Sequence, residues 1–198
     1  MNTIVYLIRH SEPSKIINYL DSNDNLQVRN EKNVLSSFGE EKAKELSLNK
    51  EMQNIDVVIS SKYVRAISTA KYIAENNSIN INIIEDFGER KFGINSWGEL
   101  PKDFEQKQLE DKTYKLNDGE NQIEVAKRMY NALLEVIKEY KGKRIAIVSH
   151  ATAITFLFMN YFSNKIVLDN NFKWNAPEVF KLEFNDNSLE NIKNIKVN

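Results

Sequence analysis

The sequence predicts an α/β fold in three layers, with a mostly parallel central sheet and helices on both of its faces. Short, continuous apolar runs alternate along the chain with segments whose apolar residues have helical spacing. Such runs are typical of strands buried on both faces, and their alternation with helices favours parallel pairing. The chain has 198 residues, a length that favours one domain spanning residues 1–198.

The elements follow from the apolar pattern. The predicted strands span residues 3–8, 56–59, 81–84, 145–148 and 179–184. The predicted helices span about 39–48, 63–74, 121–140 and 151–161. In the longest helix, Ala126, Met129, Leu133 and Ile137 share one face, and Gly142 ends it.

Two polar stretches, at about 11–37 and 95–118, do not follow this alternation and are predicted to be variable loops. Both are rich in Asn, Asp and Lys. Their long or aromatic side chains could shape ligand selectivity, or could equally be solvated surface. These side chains are Lys15, Tyr19, Arg29, Trp97, Lys102 and Tyr114.

Composition argues against several classes of partner. The 27 Lys and Arg are scattered among 28 Asp and Glu, and the net charge is −1, so we expect neither nucleic-acid nor membrane-surface binding. The apolar segment 145–162 is interrupted by polar residues such as His150, which favours a buried strand and helix over a membrane span. With no signal peptide in view, we expect a cytoplasmic protein.

No cofactor or metal is predicted. The chain contains neither a GxxxxGK[ST] loop nor a GxGxxG fingerprint, which argues against the common nucleotide-binding folds. It has no cysteine, and its two histidines do not form an HExxH pair, so a zinc centre is not expected.

Both histidines of the chain stand where a predicted strand ends. Arg9 and His10 follow the first strand, and His150 closes IAIVSH. Ligands of open α/β sheets bind at the carboxyl ends of strands, which makes these residues candidates for a site. The alternative for either histidine alone is a hydrogen-bonded structural role.

Arg65 adds a second candidate cation. It lies in the first turns of the predicted helix 63–74, which Ser60 or Ser61 could cap, and a helix N-terminus favours anions. Alone, Arg65 could be a surface arginine. Together, Arg9 and Arg65 would offer two planar guanidinium groups, which suit a phosphoryl group.

The stretch DFGERKFG holds candidates for a proton donor. Glu85, Asp86 and Glu89 are all possible donors, and a solvated charge cluster is the alternative. The local sequence does not select one of them.

Six motifs resemble, in the same order, those of the histidine phosphatase superfamily, the phosphoglycerate mutase-like proteins, and the resemblance covers residues 4 to about 183. They are LIRHSE, LSSFGEEKAKEL, DVVISSKYVRAISTAKYI, ERKFG, DGEN and IVSHA. The resemblance implies a phosphoglycerate mutase-like fold and a metal-independent phosphatase acting on a small phosphorylated substrate.

The resemblance also implies roles for individual residues. His10 would be the nucleophile and would form a phosphohistidine. Arg9, Arg65 and His150 would surround the transferred oxygens, with Arg9 and Arg65 binding the phosphate. Glu89 would protonate the leaving oxygen and then help to activate water.

Two positions depart from the family pattern, because Ser11 and Ala151 replace the glycines that usually follow the two histidines. These two replacements support one alternative, a phospholigand-binding protein without turnover. A phosphoglycerate mutase-type phosphotransferase is the other function that stays open. The short segment between Gly93 and Gly119 favours hydrolysis over the mutase reaction. The sequence leaves the particular substrate and the oligomeric state open.

Overall fold

A six-stranded sheet forms the centre of the protein. The computed structural model describes residues 2–15, 23–166 and 174–196. The strands lie in the order β3-β2-β4-β1-β5-β6 across the sheet. They are β1 (Asn2–Arg9), β2 (Val57–Ser60), β3 (Ile81–Ile83), β4 (Arg144–Ser149), β5 (Glu178–Asn185) and β6 (Ser188–Ile195).

The four strands β3, β2, β4 and β1 are parallel, and β5 and β6 continue the sheet in antiparallel pairing. The prediction of a mostly parallel α/β sheet is confirmed. In the register of the sheet, Arg9 of β1 lies opposite Ser149 of β4, and Ser60 of β2 lies opposite Val148. Three neighbouring strands therefore end at the same edge of the sheet.

Helices cover both faces of this sheet. They are α1 (Leu26–Lys32), α2 (Ser37–Leu48), α3 (Val64–Asn77), α4 (Phe104–Glu110), α5 (Gln122–Glu139) and α6 (Ala151–Tyr161). Helices α5 and α6 pack on the face that includes Leu7 and Ile147, and α2 and α3 pack on the face that includes Ile8 and Val148. Within the described ranges, no helix is long and apolar enough to cross a membrane.

The predicted helices and strands are present, with ends that differ by at most a few residues. The prediction of two long loops is wrong in part, because the stretch 11–37 contains α1 and the stretch 95–118 contains α4. Helix α4 has few apolar residues, and its Phe104 and Gln108 side chains are its buried ones. Strand β6 is missed because its side chains are mostly polar and exposed at the sheet edge. Tyr19 lies outside the described residues.

The segment that follows Glu89 crosses the chain that leads into α5. The amide of Glu120 donates to the Lys91 carbonyl at 2.9 Å, and the Lys91 amide donates to a Glu120 carboxylate oxygen at 3.0 Å. Gly93 lies at this crossing with φ +71°, and a Cβ there would collide with the Leu116 carbonyl. Both the backbone angle and the close approach require glycine.

We therefore expect Gly93→Ala to lower the free energy of unfolding by about 1–3 kcal/mol, measured by urea denaturation. Gly98→Ala is the matched control, since the nearest atom to a Cβ there is the Ser96 hydroxyl oxygen at 3.9 Å. Equal effects of the two substitutions would contradict the assignment of strain to the crossing.

Candidate active site

The two histidines and Ser61 lie side by side at the edge where the parallel strands end. The His10 amide donates to the Ser149 carbonyl, and the Ser61 amide donates to the Val148 carbonyl, both at 3.0 Å. The ring centroids of His10 and His150 are 5.0 Å apart. The sheet register thus brings together two residues that are 140 positions apart in sequence (150 − 10).

Hydrogen bonds fix the tautomer of His10. Its Nδ1 lies 2.6 Å from the carbonyl oxygen of Ser11, which can only accept, so Nδ1 carries the proton. Its Nε2 accepts a hydrogen bond from Nε of Arg65 at 3.0 Å. Nε2 therefore holds a lone pair, as a nucleophile must.

His150 has the opposite tautomer. Its Nδ1 lies 3.3 Å from a terminal nitrogen of Arg65, which can only donate, so Nδ1 is unprotonated. Its Nε2 donates to the Ser61 hydroxyl at 2.8 Å. The prediction that Ser60 or Ser61 caps α3 is wrong, because α3 begins after Tyr63 and has no side-chain cap.

Arg65 joins the two histidines through one guanidinium group. The residue is 5% exposed and lies in the first turn of α3. Its guanidinium carbon is 4.7 Å from the centroid of the Tyr63 ring, and its other terminal nitrogen donates to the Asn30 carbonyl at 2.5 Å. The positive charge is therefore fixed in position before any ligand binds.

Burial and charge keep both histidines neutral. Burial lowers the pKa of His10 well below its usual value, and the Arg65 charge lowers it further. The pKa of His150 is lowered for the same two reasons, in the same order. A neutral imidazole at ordinary pH is available for attack on an electrophile.

Arg9 lies at the end of β1, next to His10. One terminal nitrogen donates to the carbonyls of Trp174 and Asn175, at 2.6 and 2.9 Å. Burial lowers the pKa of Arg9, and the charges of Glu89 and Glu178 oppose this shift. Its buried Nε has no hydrogen-bond partner in the described part of the chain.

The three candidate proton donors differ in their surroundings. Glu89 is half-buried, and its Oε1 accepts from the Arg90 amide at 2.9 Å. Its charge acts on both Arg9 and Tyr63. Glu85 and Asp86 are exposed, and Glu85 pairs with Lys62 at the surface. Of the three, Glu89 is the carboxyl group that belongs to the cluster.

Arg128 of α5 holds the backbone around Glu89, and sequence reasoning missed it. Its terminal nitrogens donate to the carbonyls of Asp86, Gly88 and Glu89 at 2.6, 3.0 and 3.2 Å. The same guanidinium makes hydrogen bonds of 2.7 and 2.9 Å to the Glu120 carboxylate. The sequence pattern around Arg128 does not indicate this role, because residues 86–89 come next to Arg128 only in the folded chain.

The residues that replace the two family glycines fit the site differently. Ser11 is buried, and its hydroxyl donates to the Gly39 carbonyl at 2.7 Å, while its amide donates to the Thr69 hydroxyl at 2.9 Å. The Ser11 hydroxyl is therefore hydrogen-bonded to the backbone of α2. Ala151 is half-buried in the first turn of α6.

The residues predicted to shape selectivity are dispersed. Trp97 is 52% exposed with its ring against Phe92, and the Tyr114 ring lies against Phe104. Arg29 is half-buried in α1, and Lys15 and Lys102 are exposed. In the described part of the chain, neither histidine has a hydrogen bond or ring contact with any of these side chains. Across residues 2–15, 23–166 and 174–196, no group of three or more His, Asp or Glu is placed to hold a metal ion.

The chain belongs to the histidine phosphatase superfamily (branch 1), whose family model matches residues 5–194. A relative in Bacillus subtilis, the uncharacterised phosphatase PhoE, is 28% identical over 158 residues, which cover 77% of this chain and 74% of the relative. The predicted family is thereby confirmed.

Solved structures share the fold. A mycobacterial glucosyl-3-phosphoglycerate phosphatase aligns with a TM-score of 0.73 and 15% identity, covering 98% of this chain and 97% of that one. A phosphoserine phosphatase from Entamoeba histolytica aligns with a TM-score of 0.70 and 24% identity, covering 96% of each chain. The phosphoglycerate mutase-like fold predicted from the sequence is confirmed.

The neutral, buried histidines predict a pH dependence of stability. Below about pH 6.5, the unfolded chain takes up protons on its two histidines, whereas the folded protein resists protonation because both pKa values are lowered. This stability is fully present above pH 6.5 and is lost as the pH falls, by up to about 1.4 kcal/mol per pH unit for each histidine. We expect His150→Gln to remove about half of the change in unfolding free energy that the two histidines cause between about pH 6.5 and 5.5, measured by urea denaturation.

The comparison of the protein with His150→Gln isolates one histidine, because the chain has only two. Between about pH 7.5 and 8.5, the unfolding free energies of the protein and of His150→Gln should run parallel. An unchanged slope in the variant below pH 6.5 would show that His150 is not kept neutral by its surroundings.

Proposed function

We propose that this protein is a metal-independent phosphatase that hydrolyses a small phosphomonoester through a phosphohistidine on His10. The observation that carries the proposal is the geometry of His10. Its Nδ1 proton is held by the Ser11 carbonyl, and its Nε2 lone pair lies 3.0 Å from the fixed Arg65 guanidinium. A nitrogen nucleophile next to a permanent cation suits attack on a phosphoryl group.

In the first step, the Nε2 lone pair of His10 forms a bond to phosphorus as the ester P–O bond breaks. The leaving oxygen takes the bonding electrons and receives a proton from the Glu89 carboxyl group. Arg65 and Arg9 bind the non-bridging oxygens, where negative charge is concentrated in the transition state. The products of this step are the alcohol and a phosphorylated His10.

In the second step, water attacks the phosphorus of the phosphohistidine. The Glu89 carboxylate accepts a proton from that water, and the P–N bond breaks with its electrons returning to Nε2 of His10. Inorganic phosphate leaves, and both His10 and Glu89 recover their starting protonation states. One carboxyl group thus serves both steps, because the proton that Glu89 donates in the first step is replaced by the one it accepts in the second.

His150 and the two arginines would supply the positive charge that the reaction requires. A bound phosphoryl dianion raises the pKa of a nearby histidine, which would favour the protonated form of His150 as a further hydrogen-bond donor. With two guanidinium groups and an imidazolium around the phosphoryl oxygens, the site does not need a divalent cation to offset their charge.

Hydrolysis is favoured over the two other functions. The relatives are named as phosphatases, and those of known structure include ones named for glucosyl-3-phosphoglycerate and for phosphoserine. The Ser11 hydroxyl is turned to the Gly39 carbonyl, so the replaced glycine does not disturb the hydrogen bonds of His10. This supports turnover over simple phospholigand binding.

The experiment that tests the proposal compares the protein with His10→Ala on a panel of phosphomonoesters in the presence of EDTA. We expect phosphate release by the protein to persist in EDTA and to be abolished in the variant, because the covalent route needs Nε2. Phosphate release that survives in His10→Ala, or that requires added metal, would contradict the proposal. Isomerisation of phosphoglycerate much faster than phosphate release would favour the mutase.

The role of Glu89 predicts a dependence on the leaving group. We expect Glu89→Gln to lower kcat/KM by about 10²–10⁴-fold for alkyl phosphates, whose leaving oxygen needs a proton. The loss should shrink for aryl phosphates such as p-nitrophenyl phosphate, since their leaving group departs as an anion. Steady-state rates on both substrates test this.

Glu85→Gln and Asp86→Asn are the matched controls for Glu89→Gln. Each makes a similar chemical change within a few residues, but at an exposed side chain. Both should retain the activity of the unmodified protein on alkyl phosphates. A loss in Glu85→Gln or Asp86→Asn that depends on the leaving group would instead identify that residue as the proton donor.

A further inference from the structure

Four successive backbone carbonyls at the proposed proton donor accept hydrogen bonds from side chains of other elements. They belong to residues 86–89, which we call the Glu89 segment. Arg128 of α5 donates to three of these carbonyls. The buried Ser149 hydroxyl, at the end of β4, donates to the fourth, that of Phe87, at 2.7 Å. Tertiary contacts therefore fix the path of the backbone that carries Glu89.

The local structure explains why these carbonyls need such partners. The Glu89 segment begins within a single turn of 3-10 helix, Glu85–Phe87. The last carbonyls of a helix have no intrahelical donor and must find one elsewhere. Phe87 is fully buried in the core, where water cannot supply a donor to its carbonyl. The Arg128 and Ser149 side chains supply the donors instead.

The Arg128 guanidinium is itself fixed in position. It makes two hydrogen bonds to the Glu120 carboxylate, and the two side chains are only 18% and 16% exposed. A planar guanidinium forms such paired bonds in one orientation, which directs its other N–H groups at the carbonyls of the Glu89 segment. The segment is thus bound to a fixed point on α5.

Ser149 connects the Glu89 segment to both histidines. It directly precedes His150, and its own carbonyl accepts a hydrogen bond from the His10 amide at 3.0 Å. Its hydroxyl donates to Phe87, as described above. One buried residue therefore joins the backbone of the proposed nucleophile, the second histidine and the segment of the proposed proton donor.

The Glu89 segment also packs closely against the charged centre. A Cβ at Gly88 would lie 3.1 Å from Cε2 of Tyr63, so the backbone and this ring are in close contact. The same ring lies against the Arg65 guanidinium and is 4.5 Å from the His150 ring, between centroids. A displacement of the segment would therefore move Glu89 relative to the groups proposed to hold the phosphoryl group.

We propose that Arg128 and Ser149 are positioning residues, which hold Glu89 at the distance that proton transfer to the leaving oxygen requires. The inference rests on the proposed phosphatase function and on the role of Glu89 in it. Proton transfer needs a heavy-atom separation of roughly 2.6–3.2 Å, and a misplacement of about 1 Å can cost about 10²-fold in rate. In this role neither side chain touches the substrate, because both act through the carbonyls of the Glu89 segment.

The test measures kcat/KM for glycerol 3-phosphate, whose leaving oxygen needs a proton, and for p-nitrophenyl phosphate, whose leaving group departs as an anion. We expect Arg128→Met to lower the first value by about 10–10²-fold and the second by less than about threefold. Ser149→Ala should lower the ratio of the two values by about 3–10-fold, as the loss of one buried hydrogen bond. A merely structural role would lower both values alike and leave the ratio unchanged.

A double variant shows whether Arg128 acts through Glu89. In a protein that already carries Glu89→Gln, the proton donor is absent, so its position no longer matters. Adding Arg128→Met should then lower the ratio of the two kcat/KM values by less than about twofold, because residues that act as a unit are not additive. Additive losses would show that Arg128 acts independently of Glu89 and would overturn its assigned role.

Two matched controls make the same chemical changes away from the site. Arg144 also donates to two backbone carbonyls, but from the start of β4, at the opposite end of that strand from His150. Ser47 is buried and donates to a backbone carbonyl of its own helix, α2. Arg144→Met and Ser47→Ala should therefore leave the ratio of the two kcat/KM values unchanged.

The outcomes separate this inference from the proposed function. If Glu89→Gln lowers the ratio and neither Arg128→Met nor Ser149→Ala does, the positioning role is overturned and the proton donor stands. Ser149→Ala removes a single hydroxyl and decides the question alone if Arg128→Met does not fold. If Glu89→Gln leaves the ratio unchanged, the role of Glu89 and this inference fall together, whereas the covalent role of His10 is tested separately by His10→Ala.

Discussion

The contact of one buried guanidinium with two neutral imidazoles is the interaction on which the rest of the site depends. Arg65 donates to Nε2 of His10 and to Nδ1 of His150, so its positive charge lies between the two rings. Burial of a cation is unfavourable, and lone pairs of the two rings and the Asn30 carbonyl offset part of that cost. In the proposed reaction, the phosphoryl group brings its negative charge to this guanidinium. The site is therefore organised for an anion before the anion binds, which is how enzymes lower the reorganisation needed at a charged transition state.

The fold supports this centre through backbone contacts as well as side chains. Parallel pairing of β1, β4 and β2 sets the two histidines and Ser61 at one edge. On the far side, Arg128 binds three carbonyls of residues 86–89, and Glu120 binds both Arg128 and the Lys91 amide. The segment that carries Glu89 and Arg90 is thus held at both ends. The same segment carries Glu89, the proposed proton donor.

Much of this arrangement could be predicted from the sequence, because apolar runs define buried strands and the residues that end them. His10 and His150 were found in this way, and Arg65 was found through its place at a helix start. Ser61 was misassigned as a cap because α3 begins only at Val64, three residues beyond it, and the Ser61 hydroxyl bonds to His150 instead. Arg128 and α4 could not be found, since their contacts join segments that only tertiary packing brings together. Strand β6 has no alternation of apolar and polar residues, and it forms by antiparallel pairing with β5.

The central claim is that phosphate passes through a covalent bond to His10. The most direct test mixes the protein with excess substrate, quenches the reaction in alkali, where phosphohistidine is stable, and maps the modified peptide by mass spectrometry. The account predicts one phosphoryl group on the peptide that contains His10, and its rapid loss when the quenched protein is acidified. A phosphoryl group on the peptide that contains His150, or phosphate release with no phosphorylated protein at any quench time, would contradict it.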